Sequence, residues 1–125
     1  MMHALIVDDS RAIRMLLRKI LGELGFEVSE AEHGREGLER LRQLGRADLV
    51  MVDWNMPEMN GYELIKAVRQ DQRHDAMPVV MVTTENELSK VVLALEAGAN
   101  EYIMEPFTSE VIVEKLQLLG VGGGA

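Results

Sequence analysis

The chain has 125 residues, 47% of them apolar and 27% charged, which suits one soluble domain large enough to bury a real core. A net charge of −8 works against nucleic-acid or anionic-membrane partners, which call for clustered Lys and Arg, so neither is expected. Cysteine is absent, which removes disulfides and thiolate metal sites. Met1-Met2-His3 runs straight into an apolar stretch with no signal-peptide pattern, and no apolar run reaches membrane-spanning length. The expected setting is the cytoplasm.

In chain order, strand and helix signals alternate five times. Ala4-Leu5-Ile6-Val7 is fully apolar and ends at Asp8-Asp9, the pattern of a strand buried on both faces. Ser10 is placed to cap a helix whose Ile13, Leu16, Leu17, Ile20, Leu21 and Leu24 recur at helical spacing until Gly25. Phe26 to Ala31 alternates apolar with polar and reads as an edge strand. The second helix is weaker, carried by Leu38, Leu41 and Leu44 and diluted by Gly34 and Gly37. Leu49-Val50-Met51-Val52 is a second central strand, ending at Asp53. A loop from Trp54 to Asn60 leads through Gly61 to a helix with Leu64, Ile65 and Val68 inward. Val79-Val80-Met81-Val82 is the third central strand. Leu88, Val91, Val92 and Leu95 mark a helix that stops at Gly98. Glu101 to Met104 is a short mixed strand, and Ile112, Leu116 and Leu119 carry the last helix. The domain is expected to span 1–119, with 120–125 a flexible Gly-rich tail.

This alternation predicts a doubly wound parallel α/β sheet with five flanking helices. The fully apolar runs put strands one, three and four inside and strands two and five at the edges; only a few orders satisfy that, and one is the flavodoxin-like 2-1-3-4-5. That order sets strands one and three side by side, so Asp8, Asp9 and Asp53 converge at the C-terminal end of the sheet, where such folds bind ligands. Three carboxylates held together repel unless a cation sits among them, which points to a hard divalent metal. An acidic pair opening a helix is by itself only dipole complementarity; Asp53 at the neighbouring strand end tips the balance to a metal.

At these residues the chain resembles a response-regulator receiver domain over residues 3 to 119, in particular the stand-alone chemotaxis kind. The matching pieces are Asp8-Asp9, Asp53-Trp54-Asn55-Met56-Pro57 with Gly61, Thr83, Tyr102 and Pro106-Phe107. The resemblance implies that Asp53 accepts a phosphoryl group from a histidine kinase. It implies Mg²⁺ held by Asp9 directly, Asp8 mainly through water, Asp53 and the Asn55 backbone carbonyl. Thr83 would bond the phosphoryl group, and Tyr102 would swing inward behind it. A downstream partner would then read the face formed by the fourth helix, fifth strand and fifth helix. The resemblance further implies a monomeric two-component signalling domain with phosphotransfer and autodephosphorylation chemistry rather than an enzyme, and a cis peptide at Glu105-Pro106.

One position departs from the family. Receivers carry a lysine just before the proline that follows the fifth strand, and here Glu105 stands there. A like-charge pair about 4 Å apart at an effective dielectric near 20 costs on the order of 4 kcal/mol. Glu105 is therefore expected to weaken phosphorylation and its coupling to Tyr102, and like charge is expected to raise its own carboxyl. No lysine is an evident substitute, since Lys19, Lys66, Lys90 and Lys115 all fall on helices. The alternative function is a receiver-fold binding module uncoupled from phosphorylation. A Mg²⁺-dependent aspartyl phosphatase would want an acid where Asn55 stands, and a flavodoxin would want a phosphate cradle where Asp8-Asp9 stand. Trp54 reads as surface filler, and His3, His33 and His74, in no metal-ligand spacing, as solvated.

Overall fold

A computed structural model describes residues 1–121. Its elements are β1 His3–Val7, α1 Arg11–Glu23, β2 Glu27–Ala31, α2 Gly34–Leu44, β3 Leu49–Val52, α3 Gly61–Arg69, a 3₁₀ turn Gln72–His74, β4 Val79–Thr83, α4 Leu88–Ala97, β5 Glu101–Met104 and α5 Ser109–Leu118. The strands are all parallel in the order β2-β1-β3-β4-β5, the expected one among the few orders that the burial pattern of the runs allows.

Strand alternation divides the apolar runs between two cores. Leu5, Val7, Val50, Val52, Val79 and Met81 face Leu41 of α2 and Leu64, Ile65 and Val68 of α3. Ala4, Ile6, Leu49, Met51, Val80 and Val82 face Leu17 and Leu21 of α1 and Ile112 and Leu116 of α5. Both faces of the central strands are covered, which is why those runs carry no polar residue.

Helix starts follow their caps. The side chains of Ser10, Asn60 and Thr108 accept from the backbone N–H groups of Ile13, Glu63 and Val111, and Asn60 with Glu63 completes a capping box. His33 caps α2 through its ring nitrogen, 3.1 Å from the Glu36 N–H, so it is not merely solvated. Nor is His74, which is 6% exposed at the end of the 3₁₀ turn. Trp54 is buried as well, its ring stacked 5.5 Å from that of Tyr62.

Three further expectations change in the structure. The glycines of α2 are close-packing positions rather than dilution: a Cβ on Gly37 would stand 2.9 Å from Val7, and one on Gly34 would overlap Met59. Helix α4 buries only Ala94, while Leu88 is 75% exposed and Val92, Leu93 and Leu95 are also open. Its sequence is apolar nearly all round, so periodicity could not choose the inward face, and the small residue took it. At the C-terminus, Gly120 and Val121 donate to the carbonyls of Gln117 and Leu116 and close α5 as a Schellman motif, with Val121 against the core. The remainder of the expected tail, 122–125, lies outside the described residues. The peptide between Glu105 and Pro106 is cis, as the resemblance implies.

Gly61 opens α3 against the end of β3: a Cβ there would come 2.9 Å from the Asp53 carbonyl carbon and 3.1 Å from the Trp54 Cα. Gly61→Ala should destabilise the fold by about 1–3 kcal/mol, since the obstacle is backbone. Gly22→Ala, in α1 with nothing within 4 Å of the added carbon, should stabilise it by about 0.5 kcal/mol. Urea unfolding of both variants against the wild type checks the pair.

Candidate metal and phosphoacceptor site

The strand register builds the site. Val7 of β1 pairs with Val52 of β3, and the ladder runs on past both strands, the Asp53 N–H donating to the Val7 carbonyl at 2.9 Å. Across the sheet Thr83 pairs with Met104, and the Glu105 N–H donates to the Thr83 carbonyl at 2.9 Å. The residues that follow β1, β3 and β5 thus emerge at one rim. Carboxylate oxygens of Asp8, Asp53 and Glu105 lie within 4.8 Å of one another. Asp9 is exposed and outside that group, although its charge acts on both Asp8 and Asp53. Asn55 is exposed in the loop after β3, and Thr83 is fully buried at the end of β4.

Burial dominates the electrostatics. Asp8 is 2% exposed, and its carboxyl is pushed up to about 7, first by burial and then by the charges of Asp53, Glu105 and Asp9. A 2.8 Å hydrogen bond from the Ser10 N–H to Oδ1 opposes the rise. Asp53 is also raised, chiefly by burial, while the Thr83 side chain and the backbone N–H groups of Asn55 and Trp54 pull it down. Glu105 is raised as expected, but burial is the larger cause and the charge of Asp53 the smaller.

Three residues that the sequence reading passed over organise the surroundings. Arg14, almost fully buried in α1, donates to the Asp8 backbone carbonyl at 2.7 Å and to Glu30 at 3.0 Å. It fixes the Asp8-Asp9 turn from behind while its charge is engaged by Glu30 and Glu32. Glu85 receives the Tyr102 hydroxyl on its backbone carbonyl at 2.6 Å and donates its N–H to the Thr83 Oγ1 at 3.2 Å. Lys90, 3.1 Å from the Glu85 carboxylate, sits 5.6 Å above the ring centroid of Trp54, the residue after Asp53. Only its spacing from Thr83 could have hinted at Glu85, and nothing in the sequence pointed to Arg14. Tyr102 is packed against the core, its hydroxyl pushed up to about 12 by burial and by the charges of Glu85 and Asp53.

The model of the response regulator receiver domain matches residues 4–117. The chain belongs to that family. It is 46% identical to chemotaxis protein CheY1 of Helicobacter pylori over 94% of this chain and 96% of that protein. The chemotaxis protein CheY homolog of Campylobacter jejuni is also 46% identical, over 98% of this chain and 96% of that one. The crystallised chemotaxis protein CheY4 of Vibrio cholerae superposes with a TM-score of 0.88 at 37% identity, covering 95% of this chain and 98% of that one. This is a CheY-like receiver domain. Among the described residues, no helix is long and apolar enough to cross a membrane.

The raised carboxyls fix a pH dependence. Asp8 holds its proton more tightly folded than unfolded, so its contribution to stability is undiminished below its ordinary value of 3.8 and declines as pH rises towards about 7. The loss by neutral pH is on the order of 4 kcal/mol if Asp8 alone carries it. Without divalent cations, the melting temperature should therefore fall between pH 5 and pH 7.5. Asp8→Asn should flatten that slope, as measured by calorimetric melting in chelator.

Proposed function

We propose that this receiver is the phosphoacceptor of a two-component relay, taking a phosphoryl group on Asp53 from a histidine kinase in the presence of Mg²⁺. The carrying observation is the convergence of Asp8 and Asp53 with the buried Thr83 at one end of the sheet. In the transfer, an Asp53 carboxylate oxygen attacks phosphorus in line, the O–P bond forms, and the P–N bond to the donor imidazole breaks. Thr83 supplies a hydroxyl to a phosphoryl oxygen.

The donor set is all oxygen and suits a hard divalent cation, with Asp8, Asp9, Asp53 and the Asn55 carbonyl as its holders. Bound there, Mg²⁺ supplies the positive charge that offsets the transferring group. The chain is a signalling domain rather than an enzyme and acts in the cytoplasm as a monomer. Its output face comprises α4, β5 and α5, where Leu88, Val92, Leu95, Met104 and Val111 lie exposed and available to a downstream protein.

A second reading has its own observation. Glu105 lies among the site carboxylates where a receiver ordinarily presents an ammonium group, so an incoming phosphoryl anion meets one more negative charge. On this reading the domain binds its partner with little or no control by phosphorylation.

Labelling with acetyl phosphate and with a phosphohistidine donor, read by intact mass, tests the proposal. Wild type should acquire one phosphoryl group with Mg²⁺, and Asp53→Asn should acquire none. Glu105→Lys should speed labelling by at least about tenfold, equivalent to roughly 1.4 kcal/mol at the transition state. Labelling of Glu105→Lys alone, with an inert wild type, favours the second reading; an inert pair removes the phosphoacceptor.

A further inference from the structure

We infer that the exposed face of α4, β5 and α5 takes a basic amphipathic helix, a partner segment with one apolar stripe flanked by Lys and Arg. The inference rests on the output face proposed above and deepens it by naming the chemistry of the partner.

Charge is segregated along this chain. Residues 84–118, which form α4, β5, α5 and the loops joining them, carry seven glutamates and two lysines, with no Asp, Arg or His. The rest of the chain carries fourteen acids and eleven Lys or Arg, so most of the net charge of −8 resides in this one segment. Both of its lysines are already engaged. Lys90 lies 3.1 Å from the Glu85 carboxylate, and Lys115 lies 3.3 Å from that of Glu101. Glu87, Glu96, Glu110 and Glu114 are exposed and enter no ion pair among the described residues.

The apolar part of the face has a pattern of its own. Leu88, Val92 and Leu95 stand at i, i+4 and i+7, so they share one side of α4, and all three are exposed. Val111 and Leu118 form a similar stripe on α5, and Lys115 between them bonds Glu101, which turns that stripe towards β5. Met104 is exposed on the strand itself. Leu88 to Leu95 covers about 10 Å, two helical turns, the length over which a docked helix sets three apolar anchors. A strand added to the sheet edge would find only the four residues of β5. Acidic flanks on the incoming helix would meet unpaired carboxylates, whereas Lys or Arg flanks would find partners for them. Each such exposed pair is weak, but together they decide which partner approaches and in which orientation.

Fluorescence anisotropy with labelled peptides and the full chain tests this. The probes are a helical peptide of about 18 residues with Leu on one stripe and Lys on both flanks, the same peptide with Glu flanks, and a scrambled Lys peptide without a stripe. Titrations are run with and without acetyl phosphate and MgCl₂, and the tighter-binding form is compared. The Lys-flanked helix should bind at least about tenfold more tightly than either other peptide, and added salt should weaken it at least about threefold. Glu87→Lys combined with Glu114→Lys should cost at least about tenfold, and Leu88→Gln a similar factor. The same double reversal at Glu23 and Glu39, exposed on α1 and α2, should cost less than about twofold. Circular dichroism confirms that each variant is folded. Equal or tighter binding of the Glu-flanked helix, with Leu88→Gln still weakening it, overturns the inference and leaves the output face standing. Equal losses from the two double reversals also overturn it, because net charge alone then attracts the peptide. Absence of binding by every peptide in both forms overturns the inference and the output face together.

Discussion

Everything at the functional end of this molecule depends on the in-register parallel pairing of β1 with β3. Val7 opposite Val52 brings the next residue of each strand to the same level at the sheet rim. The register is pinned because both faces of both strands are buried: Leu5, Val7, Val50 and Val52 fill one core, while Ala4, Ile6, Leu49 and Met51 fill the other. A slip of one residue would send each set to the opposite layer, where the helices present different shapes. Packing two cores and setting two carboxylates face to face are therefore the same constraint. The hydrophobic effect holds together charges that would otherwise separate.

The cost of that arrangement stays local. Asp8 and Asp53 are offset by oriented N–H groups and by Thr83 rather than by a side-chain cation. Arg14 is near enough to help, yet it directs one N–H to the Asp8 carbonyl and its charge to Glu30 and Glu32. Lys90 stops at the Trp54 ring and the Glu85 carboxylate. Where the family's lysine would complete the neutralisation, Glu105 adds to the negative charge. The carboxylates of Asp8, Asp53 and Glu105 thus stand together with no ion pair to a side-chain cation among the described residues.

The inner and edge strands, the Ser10 cap and the acidic rim were legible because each follows from a periodic or local pattern. Four apolar residues in a row leave little choice but a strand covered on both faces, and Ser10 before an apolar helix repeat states its own role. What was not legible depended on partners distant in sequence. Trp54 looked like surface filler because nothing near it in the chain announces Tyr62 and Lys90. Gly37 looked like a weak helix residue because its neighbour is Val7, thirty positions away in the chain. His74 lies in a polar stretch yet is enclosed at the end of the 3₁₀ turn. In α4 the pattern was uninformative in a different way, since a helix apolar on all sides has no preferred face until β5 and α3 supply one.

That indecision of α4 bears on how the site could communicate. Three groups of Glu85 connect the rim to this helix: its N–H with Thr83, its carbonyl with Tyr102, and its carboxylate with Lys90 in the first turn of α4. The helix itself has no side-chain cap at Glu87 and buries only Ala94, so few contacts oppose a shift of its N-terminal turn. Thr83 Oγ1 is where the two ends meet. Its hydroxyl lowers the Asp53 carboxyl while its oxygen receives the Glu85 N–H. A group arriving on Asp53 that draws the hydroxyl towards itself lengthens the bond to Glu85, and a half-buried N–H left without a partner costs about 1–3 kcal/mol. On the proposed reading the loop would recover that energy by following Thr83, and through Glu85 it would draw the Tyr102 hydroxyl and Lys90 with it. On the proposed phosphoacceptor reading, coupling between site and surface would require no long chain of contacts, only one residue whose three polar groups are committed in three directions.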